Sequence, residues 1–216
     1  MIGLNDLPGG KITAGFFIEN DVQTVARQLL GKVLVTVFDG RLTAGIIVET
    51  EAYNGAADKA SHAYGNKRTK RTAVMFCNGG IAYVYMCYGI HYLMNVVVGG
   101  KAEPKVVLIR ALQPLLGIND MLQRTGKATA GFNLARGPGS LCKAMGISTH
   151  HNGMSVFGDL LFFTDVAGVV DDVEIYATAR IGVDYAGDDA LLKYRYIVQN
   201  NRYVSGPRKL NVPGLQ

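Results

Sequence analysis

Apolar residues recur along the chain with two periods. In NDVQTVARQLLG, residues 20–31, Val22, Val25, Ala26, Leu29 and Leu30 fall at helical spacing. That segment predicts a helix with Asn20 as its N-cap and Gly31 as its stop. Most other apolar runs are short and rich in Val, Ile, Tyr and Phe, which predicts strands. KVLVTVF (32–38) and RLTAGIIVETEAY (41–53) predict a hairpin turning at Asp39-Gly40. IAYVYMC (81–87) and HYLMNVVV (91–98) predict a second, turning at Tyr88-Gly89, and KVVLIRAL (105–112) a further strand. PLLGINDMLQRTG (114–126) predicts a helix, and LARGPGSLCKAMGI (134–147) a Gly-Pro turn feeding a short helix. SVFGDLLFFT (155–164), residues 173–178 and RYIVQN (195–200) predict the last strands. Residues 1–15, opening MIGLNDLPGG, read as a loose arm, and 206–216 as a polar tail. Strands in adjacent hairpins with few helices between them predict an α+β fold in one domain. Its sheet would be antiparallel or mixed, with one protruding β-hairpin and helices around it.

Composition narrows the picture. The chain has 216 residues, 49% hydrophobic and 18% charged, which suits a single core. No apolar run reaches the roughly 18 residues of a membrane span, and the first residues lack a signal-peptide pattern. A soluble, intracellular protein with no membrane partner is expected. The cysteines number three, Cys77, Cys87 and Cys142, so structural disulfides are not expected. The four histidines lack metal-ligand spacing, and neither a metal nor another cofactor is expected. The net charge of +5 favours an anionic partner, and Lys67, Arg68, Lys70 and Arg71 crowd into NKRTKR. That run is either a solvated loop or a phosphate-binding one.

The period of two places Ile47, Glu49, Glu51 and Tyr53 on one face of their strand, with Ile46, Val48, Thr50 and Ala52 on the other. Asn54-Gly55 ends the strand, leaving Glu51 beside Tyr53 at the rim. A carboxylate against an aromatic wall is partly desolvated, which suits a general base. Two exposed glutamates pairing with Lys or Arg would give the same sequence. The next hairpin carries Tyr83, Tyr85, Tyr88, Tyr92 and His91. Tyr83 and Tyr85 share a face, and Tyr88 stands at or near the tip. A tip aromatic could stack on a base or pry a base step apart, although tyrosine is also an ordinary strand residue. With His62 beyond a short loop and the basic run after it, these features fit one task. They would hold a flat base out of a polyanion's stack and do acid–base chemistry beside it.

VETEAY, His62 eleven residues after Glu51, Met75-Phe76, YVYxxYGxxxxMN over 83–95, LIRAL over 108–112 and GPGSLCKAMGI over 137–147 together resemble the alkyladenine (3-methyladenine) DNA glycosylase family. The resemblance is to the human-type family, in a form like its bacterial members, and runs from Phe16 to Ser205. ARIGVDYAG (179–187) and RYVSG (202–206) also fit. It implies hydrolysis of the N-glycosidic bond of alkylated purines in double-stranded DNA, leaving an abasic site. The substrates would include 3-methyladenine and 7-methylguanine, with hypoxanthine and ethenoadenine as neutral candidates.

The resemblance also implies residue roles. Glu51 would activate the water, held by Arg110 and the carbonyl of His62. Tyr53 would stack on one face of the flipped base, His62 and Tyr85 on the other. The backbone N–H and imidazole of His62 would bond its edge. Asn95 would stand at the pocket floor and clash with the 2-amino group of guanine. Tyr88 would intercalate, and Lys67, Arg68, Lys70 and Arg71 would meet phosphates. Glu49 would be a structural partner. No lysine stands in a nucleophile position, so a monofunctional enzyme is expected. A monomer is expected, cytoplasmic and near the nucleoid in a bacterium, nuclear otherwise. A lesion-binding protein without catalysis is the alternative. Three positions depart from the family pattern: Thr72 for Asn, Ser140 for Lys, and Asn54 for an apolar residue.

Overall fold

A computed structural model of the chain describes residues 9–165, 174–207 and 211. Its centre is an antiparallel sheet in the order β3-β4-β5-β2-β1-β6. These strands are β1 (Val33–Phe38), β2 (Arg41–Tyr53), β3 (Ala82–Cys87), β4 (His91–Val98), β5 (Lys105–Leu116) and β6 (Leu161–Thr164). β8 (Arg195–Val198) pairs with the far half of β2 and with β7 (Ile175–Thr178). Four α-helices accompany the sheet among the described residues: α1 (Ala14–Ile18), α2 (Val22–Gln28), α3 (Ile118–Thr125) and α4 (Pro138–Met145). The fold is α+β, and each recorded strand pairing is antiparallel.

The first hairpin follows its turn chemistry. Asp39 (φ 53°) and Gly40 (φ 70°) both take the left-handed conformation, which matches the twist of β1 and β2. Helix α2 is one residue displaced from expectation at its start. Asp21 caps it, its carboxylate accepting from the backbone N–H of Gln23 at 2.9 Å and of Thr24 at 3.0 Å. Asn20 instead donates its amide to the Phe16 carbonyl, closing α1, which the sequence reading had not assigned. Within the expected arm, Lys11 bridges to Thr164 and Ile12 donates to the Phe163 carbonyl at 2.9 Å, while residues 1–8 lie outside the described ones.

Two further expectations shift. Pro114, Leu115 and Leu116 extend β5 rather than open a helix; Pro114 lies opposite Gly45. The break comes at Gly117, whose φ of 69° and 2.1 Å approach of a built Cβ to the Leu42 carbonyl admit no side chain. Of the strand expected over 155–164, only Leu161–Thr164 pairs continuously. Of the one expected over 173–178, Ile175–Thr178 is β7, and Val173 lies outside the described residues.

Strand β2 carries the site, and its register is irregular there. The pairing with β5 shifts between Ile47 and Glu49 and again between Glu49 and Thr50. A shift of one residue exchanges the faces of everything beyond it. Ile47 accordingly packs in the helix-covered core with Ala52, and the Thr50 hydroxyl donates to the Ala26 carbonyl of α2. Ile46 and Val48 pack on the opposite side with Val33, Val35 and Phe162. Glu49, Glu51 and Tyr53 thus share a face as expected, but Ile47 does not belong to it.

Candidate active site

Both glutamates have no exposed surface, which excludes the exposed-pair alternative. They meet on Arg110 of β5, itself buried. Its Nε donates to Glu49 at 2.8 Å and its Nη1 to Glu51 at 3.2 Å. Glu49 also accepts from Arg195 Nε at 2.7 Å and from the Ser205 backbone N–H at 2.7 Å. Burial would raise the Glu49 pKa, but the charges of Arg110 and Arg195 and these hydrogen bonds hold it below its ordinary value. Arg110 is pushed the other way. Burial opposes its charge, and the two carboxylates more than restore it, so it stays a cation.

Glu51 has different neighbours. One carboxylate oxygen accepts from the Ile181 backbone N–H at 2.8 Å, the other from Arg110 and from the Tyr53 hydroxyl at 2.9 Å. Burial, followed by the Glu51 charge, pushes the Tyr53 phenol well above its ordinary range, so it remains a donor. A carboxylate offers about four acceptor positions, and three are filled, which leaves one for a small molecule such as water.

Tyr53 and Arg110 open onto a cavity of about 570 Å³, lined also by His62, Tyr83, Tyr85, Asn95, Leu108 and Val183. Behind the Tyr53 ring lies Arg180, its guanidinium 4.8 Å from the ring centre. Arg180 is fixed by the Asp58 carboxylate, at 2.5 and 2.9 Å, and by the Ala52 carbonyl at 3.0 Å. This clamp, a bidentate pair over an aromatic face, makes Tyr53 a rigid wall.

Another part of the lining is aromatic. His62 meets Tyr85 edge to face, centres 4.7 Å apart at 77°, and its Nδ1 is 3.0 Å from the Tyr83 hydroxyl. Tyr83 and Tyr85 lie on one face of β3, their ring centres 5.4 Å apart. Burial, with the adjacent Arg71 charge, lowers the His62 pKa to about 4, so the imidazole is neutral at pH 7. Asn95 is buried, its amide donating to the Tyr83 carbonyl at 3.1 Å. It faces Leu108, which faces Glu51, so the three line up across β4, β5 and β2.

Tyr88 borders the same cavity from the hairpin turn. Cys87 and His91 form the last pair of the hairpin, so Tyr88 belongs to the turn. It is 91% exposed and holds a φ of 51°, a strained value for a bulky residue. Ile90 beside it is 74% exposed, and the tip is apolar. Lys67, Arg68, Lys70 and Arg71 are exposed, and Arg71 lines the cavity. The buried Thr72 fixes that loop, its hydroxyl donating to the Lys67 carbonyl at 2.9 Å and accepting from the Thr69 N–H at 2.8 Å. Ser140 lines the cavity from the first turn of α4, and Asn54 donates its backbone N–H to Asp58 at 3.0 Å.

These contacts place Arg110, His62, Tyr53, Tyr85 and Asn95 around one space, with Glu51 bonded to two of them. A model of the methylpurine-DNA glycosylase family matches residues 16–202. The chain belongs to that family. It is thereby a DNA glycosylase, a hydrolase of DNA repair. A Bacillus cytotoxicus protein provisionally named 3-methyladenine DNA glycosylase is 42% identical, over 88% of this chain and 97% of its own. A Chlamydia pneumoniae protein of the same name is 42% identical over 85% and 92%, and a Clostridium perfringens one 39% over 88% and 96%. Single-residue reasoning missed Arg180, Asp58 and Ile181 within this family's site. The buried-looking pair of Asp58 and Arg180 lies 122 residues apart, and nothing local signals it. Among the described residues, no group of three or more His, Cys, Asp or Glu side chains is placed to hold a metal ion, and no helix is long and apolar enough to cross a membrane. The three cysteines are free.

Proposed function

We propose that this glycosylase releases alkylated purines, 3-methyladenine and 7-methylguanine among them, from double-stranded DNA by flipping the base into the 570 Å³ cavity. The observation that carries the reading is the buried Glu51 carboxylate. It is held by Ile181, Tyr53 and Arg110, all three of which line the cavity, and one of its acceptor positions is left for water. Water bound there loses its proton to Glu51 as it meets the sugar carbon, and the cationic base departs as a neutral purine. Arg110 donates to the Glu51 carboxylate and orients the water. A positioned base of this kind contributes about 10²–10⁴-fold. The site residues contain no lysine to form an imine with the sugar, so the product is an abasic site in an unbroken strand.

Tyr53 faces one side of the base, and His62 with Tyr85 the other. Stacking is strongest on an electron-poor ring, which an alkylated purine is. Asn95, tied to the Tyr83 carbonyl, leaves little room for a 2-amino group. The Tyr88 ring fills the gap in the stack, and the basic loop holds phosphates as one monomer binds. Neutral lesions such as hypoxanthine require protonation, and His62 near a pKa of 4 supplies little acid at pH 7.

Incubation with methylated duplex DNA followed by hot alkali tests the proposal. Alkali-dependent breaks at methylated purines are expected, with no breaks before alkali. Tight binding without base release would leave a lesion-binding protein, and breaks before alkali would remove the monofunctional step.

A further inference from the structure

Arg71 ends the basic loop, yet it does not simply extend into solvent. Its guanidinium carbon lies 4.7 Å from the centre of the Tyr85 ring, and Nη2 is 3.2 Å from His62 Nε2. Arg71 also lines the cavity. None of the ion pairs among the described residues includes it.

A guanidinium is flat, cationic and donor-only. His62 Nε2 must therefore accept from Arg71, which puts the imidazole proton on Nδ1, toward the Tyr83 hydroxyl at 3.0 Å. In this state the Tyr85 face and the Nε2 lone pair are both taken. An alkylated purine in DNA is likewise flat and cationic, the released base is flat and neutral, and both need the same face. Two planar groups cannot share one ring face, and where the base is cationic like charges would meet as well.

We infer that Arg71 is the resident occupant of the base pocket in the free protein and makes the pocket selective for bases carried on DNA. The inference rests on the base-flipping reading of the cavity. A DNA-borne base arrives with phosphates, and a phosphate oxygen is a stronger partner for Arg71 than a ring face and one imidazole nitrogen. The guanidinium moves onto the phosphate, and the base takes the vacated face. A free purine brings no phosphate and must displace Arg71 unaided, so released product and cellular free bases compete poorly. The backbone need not move, because the Thr72 hydroxyl already ties 67–72 together.

The test is binding of free 3-methyladenine, followed by quenching of tyrosine fluorescence, in the wild type, Arg71→Met and Arg71→Lys. Arg71→Met keeps the stem and removes the plane of charge. It should bind the free base about tenfold more tightly, while its affinity for a methylated duplex falls and its salt slope drops by about one phosphate. Arg71→Lys should lie between. Equal or weaker free-base binding by Arg71→Met overturns the inference. A second arm needs no variant: ¹⁵N spectra of His62 in the wild type with a duplex carrying an abasic site, which offers phosphates but no base. The Nε2 resonance should move toward that of an unbonded acceptor, and an unmoved resonance overturns the inference. Both arms are read without catalysis. Failure of base release in the methylated-DNA assay would therefore strike the proposed function and leave this result standing or falling by itself.

Discussion

Glu49 and Glu51 stand two residues apart on β2, both without exposed surface, both bonded to Arg110. Around Glu49 the structure is closed. Besides Arg110 its donors are Arg195 and the Ser205 N–H, neither of which borders the cavity, and Arg195 is itself held by the Ser205 carbonyl and by Asn211. Glu51 is buried too, but its three donors, Tyr53, Arg110 and Ile181, all border the cavity. The same side chain on the same face thus serves two ends. Where the donors come from packed segments on every side, a carboxylate can only hold them together. Where one side is a cavity, it can exchange a proton with what enters.

Removing each charge in turn tests that contrast. Glu51→Gln should lower the single-turnover rate of base release by about 10²–10⁴-fold, the usual contribution of a general base. Its unfolding free energy should change less than that of the neighbouring variant, because Arg110 keeps Glu49. A Glu51→Gln enzyme at full rate would end the contrast. Glu49→Gln should act the opposite way. It leaves Arg195 and part of Arg110 buried without their carboxylate, a change that costs about 3–5 kcal/mol in comparable buried pairs. Urea unfolding reads this loss, and base release by the folded fraction should stay within about tenfold of the wild type. A collapse in rate with stability intact would make Glu49 the reactive carboxylate.

A smaller change sharpens the open side. Tyr53→Phe keeps the wall and removes the 2.9 Å hydrogen bond to Glu51. A hydrogen bond of this kind contributes about 0.5–1.5 kcal/mol, so the rate should fall roughly two- to tenfold with the apparent affinity for a methylated duplex unchanged. A loss of affinity instead would show that the hydroxyl sets the position of the ring, not the carboxylate.

Much of this arrangement can be read from residue order. The Asp39-Gly40 turn, the pairing of 82–87 with 91–98, and Tyr88 in the second turn follow from local chemistry that acts over a few residues. The face shared by Glu49, Glu51 and Tyr53 follows from the period of two, and the family motifs single out Glu51. What periodicity cannot carry is the bulged register near Glu49, because both β2 and β5 must shift together and that depends on their packing. The closing of Glu49 by Arg195 and Ser205, 146 and 156 residues away, is likewise a tertiary fact. So is the Arg180 clamp behind Tyr53. The basic run was legible as charge, but composition gives no hint that Arg71 turns inward to His62 and Tyr85.

The last expected effect concerns acid, and it separates the two regions by pH window. His62 titrates near 4 in the folded protein against 6.5 ordinarily, because burial and then Arg71 disfavour its cation. Between these values the unfolded chain binds a proton that the folded one refuses. Stability from this source is present above pH 6.5 and falls as pH drops toward 4. Glu49 is depressed below 4.5, so its contribution is lost only at lower pH, as the carboxylate is finally protonated. His151 is also lowered by burial and adds to the upper window. The measurement is therefore the urea midpoint from pH 7.5 to 3.5 for His62→Gln, made both in the parent and in a His151→Gln background. His62→Gln should flatten the slope between pH 6.5 and 4.5 in both backgrounds and leave the decline below 4.5 unchanged. Glu49→Gln should do the reverse, flattening the decline below 4.5. An unaltered upper slope in both His62→Gln proteins would mean that the wall of the cavity accepts a protonated imidazole without cost, and that Arg71 does not hold Nε2 as an acceptor.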